Sequence, residues 1–253
     1  MAARREAFEP AIVKARAYLV KQQWDLDKPK EADNPNDGGI GYGSDHTHTD
    51  LSNTYLAIEA IALSRQVIED GRHGDQPELD WDAALQFLSR CQNLESTNDQ
   101  PWASNDPENK GGFIYTTGDS KAGEKELKDG STALRSYGSM SYAGLLSMVY
   151  AKVEADDQRV KAVKEWLGKN YSVDENPGLG KQGLYYYYHV MAKALAATNT
   201  GEFKLADGKS ADWRTDLATR LLASQPETGS WVNTNPRWWE NHPPPVTSHP
   251  ILA

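Results

Sequence analysis

Two kinds of helical segment alternate along this chain of 253 residues, and no other feature restricts its fold as strongly. The first kind carries apolar residues at helical spacing on one face and charges elsewhere, at 9–23, 81–92, 158–169 and 212–224. The second kind is almost free of charge on every side, at 51–63, 139–151 and 184–197. A helix without a charged face must be surrounded by protein, so we expect uncharged inner helices covered by charged outer helices.

A shorter motif links the two kinds of helix. Each charged segment ends near a Gln or Asn, and a polar loop then leads to a Gly and an aromatic residue. The motif occurs four times, at Gln22-Gln23 to Tyr42, Gln92 to Phe113, Asn170 to Tyr185 and Gln225 to Trp231. Four irregular copies of one helical hairpin predict a single domain over 1–253 that is all-α, without an extended sheet.

Composition excludes several classes of function. Lys and Arg number 27 against 36 Asp and Glu, and the net charge of −9 disfavours binding to nucleic-acid phosphates. No apolar run reaches the roughly 20 residues of a membrane span, and the first residues lack the apolar stretch of a signal peptide. The compartment and the oligomeric state stay open. The single Cys91 excludes a disulfide framework, and its position on the apolar stripe of 81–92 predicts a buried, unreactive thiol.

The chain resembles bacterial proteins described as prenyltransferase and squalene-oxidase repeat proteins. The resemblance covers nearly the whole chain and rests on DLSNT (50–54), RCQN (90–93), GGF (111–113), RSYGSMSYAG (135–144), NPGLGKQGLYYYYH (176–189) and GSWVN (229–233). The Gln to Gly-aromatic repeat looks like the QW-type motif of the squalene–hopene cyclase and protein prenyltransferase superfamily. This resemblance implies an α/α toroid with inner parallel helices, an outer ring and a central cavity. About four hairpins are present, fewer than in a full toroid, so we expect a partial ring or a fragment of a longer toroid.

Polar residues at the starts of the inner helices form the candidate site, because the N-termini of parallel inner helices meet at one rim. The candidate catalytic residues are Asp50, Tyr137 and His189. The candidate ligand-binding residues are Asn53, Arg135, Ser139, Tyr142, Tyr185, Tyr188, Trp231 and Arg237. Free N–H groups at helix N-termini favour an anionic or hydroxyl-rich ligand. The alternatives are ordinary N-capping for the small polar residues and core packing for the tyrosines.

The segment Asp50-Leu-Ser-Asn53 stands where squalene-type cyclases have Asp-x-Asp-Asp, the motif that donates the initiating proton. Ser52 and Asn53 replace its second and third carboxylates, and neither is acidic enough to protonate an alkene. We therefore expect no squalene cyclisation by this chain.

Metal sites are poorly supported by the sequence. Tyr188-His189 resembles the Tyr-His of protein prenyltransferases, where the His binds zinc, but a complete zinc ligand set is not seen here. His46 and His48 have a spacing that could chelate a metal together with Asp50, or they belong to a solvated loop. We predict no metal and no cofactor.

Three functions remain as alternatives. The first two would have a small molecule or an oligosaccharide in the central cavity as their partner. The chain is an isoprenoid-related enzyme, a carbohydrate-active or carbohydrate-binding toroid, or a non-catalytic interaction domain. In a lyase, a Tyr or His would remove a proton from the sugar and an Arg or Lys would neutralise a uronate carboxylate. An apolar cavity wall would favour the first function, and a polar Tyr/Trp cleft the second. Trp238-Trp239, in a Pro-rich loop, is a candidate cavity lip or a hydrophobic plug.

Overall fold

The computed structural model describes residues 5–24, 33–43, 48–69 and 72–253. These ranges contain eight α-helices: α1 (Arg5–Val20), α2 (Leu51–Ile68), α3 (Trp81–Arg90), α4 (Gly138–Tyr150), α5 (Gln158–Lys169), α6 (Leu184–Ala197), α7 (Trp213–Ser224) and α8 (Pro243–Leu252). The prediction of a mostly helical fold is confirmed. Within the same ranges, no helix combines the length and the apolar character that crossing a membrane requires.

The uncharged helices pack on one another in chain order. Helix α2 packs against α4, α4 against α6, and α6 against α8, while α1 packs against α2 and α5 against α4. Helix α4 is buried at every position from Gly138 to Met148, which confirms its predicted place in the interior. The predicted inner segments contain two charged residues, Glu59 of α2 and Lys193 of α6. These two residues form a salt bridge with each other. Tyr150 of α4 also donates to the Glu59 carboxylate at 3.0 Å, so this charge is compensated where it is buried.

The charged helices begin at aspartates and bury one face. Asp80 caps α3, Asp157 caps α5 and Asp212 caps α7, each accepting a hydrogen bond from a backbone N–H of the first turn. Cys91, the C-cap residue that follows α3, is fully enclosed, as predicted. Burial raises the pKa of this thiol, and the negative charge of Asp50 raises it further.

Two short hairpins lie in segments that the sequence pattern assigns to loops. Strands β1 (Glu124–Glu126) and β2 (Thr132–Leu134) pair antiparallel, with Lys125 opposite Ala133. Strands β3 (Phe203–Lys204) and β4 (Ser210–Ala211) do the same, with Phe203 opposite Ala211. A further difference concerns α8, which begins at Pro243, within the Pro-rich stretch that the sequence pattern assigns to a loop. Proline is tolerated in the first turn of a helix because the N–H groups there have no partner within the helix.

One turn geometry recurs three times, and we call its three copies the Gln-Gly turns. In each copy the side-chain amide of a Gln donates to the carbonyl oxygen of a glycine with positive φ, at 2.9 to 3.1 Å. The pairs are Gln23 with Gly38, Gln92 with Gly111, and Gln225 with Gly229. The predicted copy at 170–185 differs, because the Asn170 amide donates to Trp166 of its own helix at 2.8 Å.

Each Gln-Gly turn is attached to an inner helix in the same way. The residue two positions after the glycine donates its backbone N–H to a hydroxyl on that helix, at 2.9 to 3.1 Å. The pairs are Ile40 with Thr54 of α2, Phe113 with Ser141 of α4, and Trp231 with Thr247 of α8. The turns therefore set the distance between each loop and the start of an inner helix.

Candidate functional site

A cavity of about 250 Å³ lies at the N-terminal ends of α2, α4 and α6. Among the described residues, five aromatic rings line it: Tyr42, Tyr115, Tyr137, Tyr186 and Trp238. Its polar lining residues are Ser52, Lys121, Ser139, Glu240 and His249, and Met140 and Gly183 complete the wall. A wall of rings with a few convergent polar groups is typical of a small-molecule site.

A larger and more open cavity, of about 630 Å³, lies between α5, the end of α6 and the β3–β4 hairpin. Its lining comes largely from the loop 198–206, with Lys164 and Glu165 as the charged residues of α5. It has one aromatic ring, Phe203, and no inner-helix start reaches it. We therefore take the smaller cavity as the candidate site.

Asp50 caps α2 beneath this cavity and does not line it. Its Oδ1 accepts from the Asn53 backbone N–H at 2.9 Å, and its Oδ2 accepts from the Asn53 side-chain amide at 2.7 Å. The residue is 0 % exposed. The structure therefore gives Asp50 the capping role that the sequence left as an alternative, and Asn53 is the residue that donates to it.

Tyr137 and Ser139, at the start of α4, both reach the cavity wall. The Tyr137 backbone N–H donates to Phe113 at 3.2 Å, which fixes the residue at the N-cap position. Asn176 holds Ser139 from both sides, accepting from its N–H at 3.0 Å and donating to its hydroxyl at 3.2 Å. Burial strongly raises the pKa of Tyr137, so its phenol stays protonated and can donate a hydrogen bond.

The start of α6 is capped by Glu240, which comes from the loop before α8. One carboxylate oxygen accepts from the N–H groups of Tyr185 at 3.0 Å and Tyr186 at 2.9 Å. The other accepts from the Asn233 amide at 2.7 Å. Burial raises the pKa of Glu240, while these hydrogen bonds act in the opposite direction. An acidic side chain thus occupies a helix N-terminus at the cavity wall.

Tyr186 crosses the cavity from α6 to α2. Its hydroxyl lies 2.8 Å from Ser52 Oγ, and its ring packs edge-on against His249 with centroids 6.0 Å apart. The sequence pattern predicts Tyr185 and Tyr188 as site residues instead. Because successive helical residues point 100° apart, only one or two members of a four-Tyr run can face one cavity.

The loop after the second Gln-Gly turn supplies Tyr115 and Lys121, which the sequence analysis missed. The Lys121 ammonium lies 4.4 Å from the centroid of the Tyr115 ring and 2.6 Å from the Asp119 carboxylate. Burial, together with the negative charge of Asp50, raises the pKa of Tyr115. These residues show no helical or strand periodicity, so no signal in the sequence marks them.

His189 lies behind the wall and contacts it through His249. The two imidazole rings are 5.4 Å apart and inclined by 45°. Burial lowers the pKa of His189 to about 4, with smaller contributions from the charges of Lys193 and His249. Burial also lowers the pKa of His249. Both rings are therefore uncharged at neutral pH.

This histidine pair predicts a loss of stability in mild acid. The pKa of His189 is about 4 in the folded chain and about 6.5 when unfolded, so between these values only the unfolded chain binds the proton. We expect the free energy of unfolding, measured by urea denaturation, to fall as the pH is lowered from about 6.5 towards 4. His189→Gln should flatten that part of the curve. The same change at the exposed His242 should leave it as steep as in the wild type.

The remaining predicted site residues lie outside the cavity. Tyr142 is buried in the core, with its ring 5.7 Å from Tyr187. Tyr188 donates to Val173 at 2.6 Å, and Tyr185 packs edge-on against Tyr188 at 5.8 Å, on the side of α6 that faces α7. These tyrosines pack the core, which is the alternative that the sequence left open.

Trp231, Arg135 and Arg237 have structural partners. The buried Trp231 indole donates to Leu221 of α7 at 3.0 Å. The exposed Arg135 donates to Glu124 across the β1–β2 hairpin at 3.1 Å. Arg237 stacks over the Trp238 ring at 4.4 Å and donates to Gln182, which places it at the edge of the cavity. Of the eleven predicted site residues, Tyr137 and Ser139 line the wall.

Among the described residues, no group of three or more His, Cys, Asp or Glu side chains is arranged to hold a metal ion. His46 of the proposed His46, His48 and Asp50 set lies outside those residues. In comparisons with known proteins, no protein-family model, no curated protein and no solved structure matches the chain.

Proposed function

We propose that this protein binds a carbohydrate in the cavity at the inner-helix N-termini. The observation that supports this most directly is the character of the wall. Five Tyr and Trp rings stand among hydroxyl, ammonium and imidazole groups, so nearly every ring has a hydrogen-bonding neighbour. Sugar rings present apolar C–H faces and a rim of hydroxyls, and this wall can satisfy both.

The alternative proposal, an isoprenoid-related enzyme, has less support. Aromatic faces can stabilise carbocations, and the cavity has such faces. Initiation by protonation would need a free acid, however, and both oxygens of the buried Asp50 are engaged by Asn53. A polyene chain would also offer no hydrogen-bonding group to the Ser52, Ser139 and Lys121 side chains of the wall.

We also propose that the hairpins form part of an α/α toroid. In this arrangement α2, α4, α6 and α8 are the inner helices and α1, α3, α5 and α7 the outer ones. The support is the order in which the uncharged helices pack and the attachment of three Gln-Gly turns to three of them.

The backbone conformation of two tryptophans at the edge of the cavity supports the proposal that this loop holds a ligand. Trp238 and Trp239 both have left-handed backbones, with φ of 57° and 67°. For a residue with a bulky side chain this conformation costs about 1–2 kcal/mol. The buried Glu240 follows directly and holds the loop on α6. Strain of this kind is concentrated where proteins hold ligands.

The test uses these two tryptophans as a matched pair. They share a loop and a backbone conformation, but Trp238 lines the cavity and Trp239 is 74 % exposed beside it. A panel of neutral and uronic oligosaccharides, prenyl diphosphates and squalene is titrated by native mass spectrometry and by tryptophan fluorescence. We expect a glycan to bind, Trp238→Ala to weaken it about tenfold or more, and Trp239→Ala to have a much smaller effect.

Two outcomes would contradict the proposal. Binding of a prenyl compound without any glycan would favour the isoprenoid alternative. Binding of none of these ligands would leave the non-catalytic interaction domain as the better description.

A further inference from the structure

The first turns of the three helices beside the cavity already have acceptors for their N–H groups. In each of α2, α4 and α6, two N–H groups of the first turn donate to an oxygen of the protein, at 2.8 to 3.0 Å. The pairs are Leu51 with Tyr115 and Asn53 with Asp50 in α2, Gly138 with Pro177 and Ser139 with Asn176 in α4, and Tyr185 and Tyr186 with Glu240 in α6. An anion in the cavity would have to displace these partners, so the expected attraction of the helix N-termini for an anion is already used within the protein.

Two of these acceptors are buried carboxylates whose hydrogen-bond partners among the described residues carry no charge. Asp50 accepts from the backbone N–H and the side-chain amide of Asn53. Glu240 accepts from two backbone N–H groups and from the Asn233 amide. Burial raises the pKa of Glu240, and the hydrogen bonds that oppose this come from uncharged groups. A cation near this carboxylate would therefore be stabilised.

The negative charge of Asp50 acts on three of the five rings of the wall. Burial is the main cause of the raised pKa of Tyr115, Tyr137 and Tyr186, and the Asp50 charge raises the pKa of each further. These phenols therefore stay protonated, and their rings keep the negative face of a neutral aromatic system. Both the field of the carboxylate and the faces of the rings attract a cation and repel an anion.

Two rings of the wall already hold a cation of the protein. The Lys121 ammonium lies 4.4 Å from the centroid of the Tyr115 ring, and the Arg237 guanidinium lies 4.4 Å from that of the Trp238 ring. Neither cation reverses the negative charge of the wall. Asp119 compensates Lys121 at 2.6 Å, and Arg237 is exposed, so water and salt screen its charge.

We propose that the glycan bound in this cavity is an amino sugar, whose ammonium group lies against the Tyr and Trp faces near the Glu240 carboxylate. This inference rests on the proposed carbohydrate function and narrows it to basic glycans. The hydroxyls of the sugar have Ser52 and Ser139 as partners in the wall. A uronic acid would add its carboxylate to the charges of Asp50 and Glu240, and like charges brought together weaken binding.

Three oligosaccharides of equal length test this assignment: a glucosamine oligomer, its N-acetylated form and a uronic acid oligomer. Each is titrated by calorimetry in mildly acidic buffer, where the sugar amine is protonated, and circular dichroism checks that the chain is folded there. Acetylation removes the charge of the amine and leaves the sugar ring in place. We expect the glucosamine oligomer to bind about tenfold more tightly than the N-acetylated form, and the uronic acid oligomer to bind most weakly.

Lys121→Gln distinguishes an amino sugar from a uronic acid, because the two ligands predict opposite effects. A lysine that neutralised a sugar carboxylate would weaken binding when it is lost. With an amino sugar, the substitution removes a competing cation from the Tyr115 face, so the affinity for the glucosamine oligomer should rise about twofold or more. Lys128→Gln is the matched control, since it removes the same charge from the exposed turn of the β1–β2 hairpin. The control should bind as the wild type does.

Two results would overturn the assignment and leave the proposed function in place. One is an N-acetylated or uronic acid oligomer that binds as tightly as the glucosamine oligomer. The other is a Lys121→Gln chain that binds the glucosamine oligomer more weakly than the Lys128→Gln chain does. A chain that binds none of the three oligosaccharides would contradict the proposed carbohydrate function itself, and the amino-sugar assignment with it.

Discussion

Gly111→Ala is expected to lower the free energy of unfolding by about 4 kcal/mol or more, a large part of the stability of a typical domain. The added Cβ would lie 2.2 Å from the Ala162 carbonyl oxygen and 2.6 Å from its carbon. Both atoms belong to the backbone of α5, so no side chain can rotate away to make room. Relief requires α5 to move off the turn, which breaks the Gln92 bond to Arg159 as well.

The control for this substitution is Gly208→Ala. Gly208 has nearly the same positive φ, 84° against 90° at Gly111, but no atom lies within 4 Å of its Cβ position. The control should therefore lose only the cost of a left-handed alanine, about 1–2 kcal/mol. Urea denaturation of both variants separates the cost of the contact with α5 from the cost of the left-handed backbone. Equal losses at the two positions would show that the contact with α5 contributes nothing.

Glu240→Ala is expected to cost about 3 kcal/mol or more, because it leaves buried donors without an acceptor. The N–H groups of Tyr185 and Tyr186 and the amide of Asn233 all donate to this carboxylate. The same change frees the loop that carries Trp238, so the affinity for a glycan in the cavity should fall together with the stability.

Two further variants give this prediction its controls. Glu240→Gln keeps one acceptor oxygen for the N–H groups of α6, so its loss of stability should be intermediate. Glu227→Ala removes an exposed carboxylate earlier in the same loop and should change the free energy of unfolding by less than about 0.5 kcal/mol. A Glu240→Ala chain as stable as Glu227→Ala would rule out the capping role. Thermal and urea unfolding provide the measurements.

The helices could be predicted from the sequence because each is marked by a charge pattern and most by a starting residue. The aspartates at 80, 157 and 212 stand directly before helices whose apolar residues repeat at helical spacing. The β-hairpins were missed although Asp129-Gly130 and Asp207-Gly208 stand at their turns, a dipeptide that favours tight hairpins. Strands of two or three residues are too short to show an alternating pattern.

The cavity lies at the inner-helix starts, where the sequence places the candidate site, but most of its lining residues could not be predicted. Tyr137 and Ser139 were found because they open an uncharged helix. Lys121 and Tyr115 were missed because they lie in a loop, whose path depends on tertiary contacts. Asp50 and Glu240 show a second difficulty. A carboxylate at a helix N-terminus looks the same in sequence whether it caps the helix or faces a ligand, and its hydrogen bonds decide which.

The three Gln-Gly turns enclose loops of very different length. Residues 93–110 separate one pair, whereas only 226–228 separate another, and the hydrogen bond across the mouth of the loop differs little between them. The short loop is open to exchange, because residues 226–228 are all exposed and the hydrogen bond across its mouth needs only that its two ends meet. The long loop is part of the frame, because its Asp99 pairs with the buried Arg90 of α3 and its Asn98 donates to the Arg90 and Gln92 carbonyls. Peptide segments could therefore be grafted at 226–228, whereas a graft that replaces 93–110 would also remove these bonds to α3.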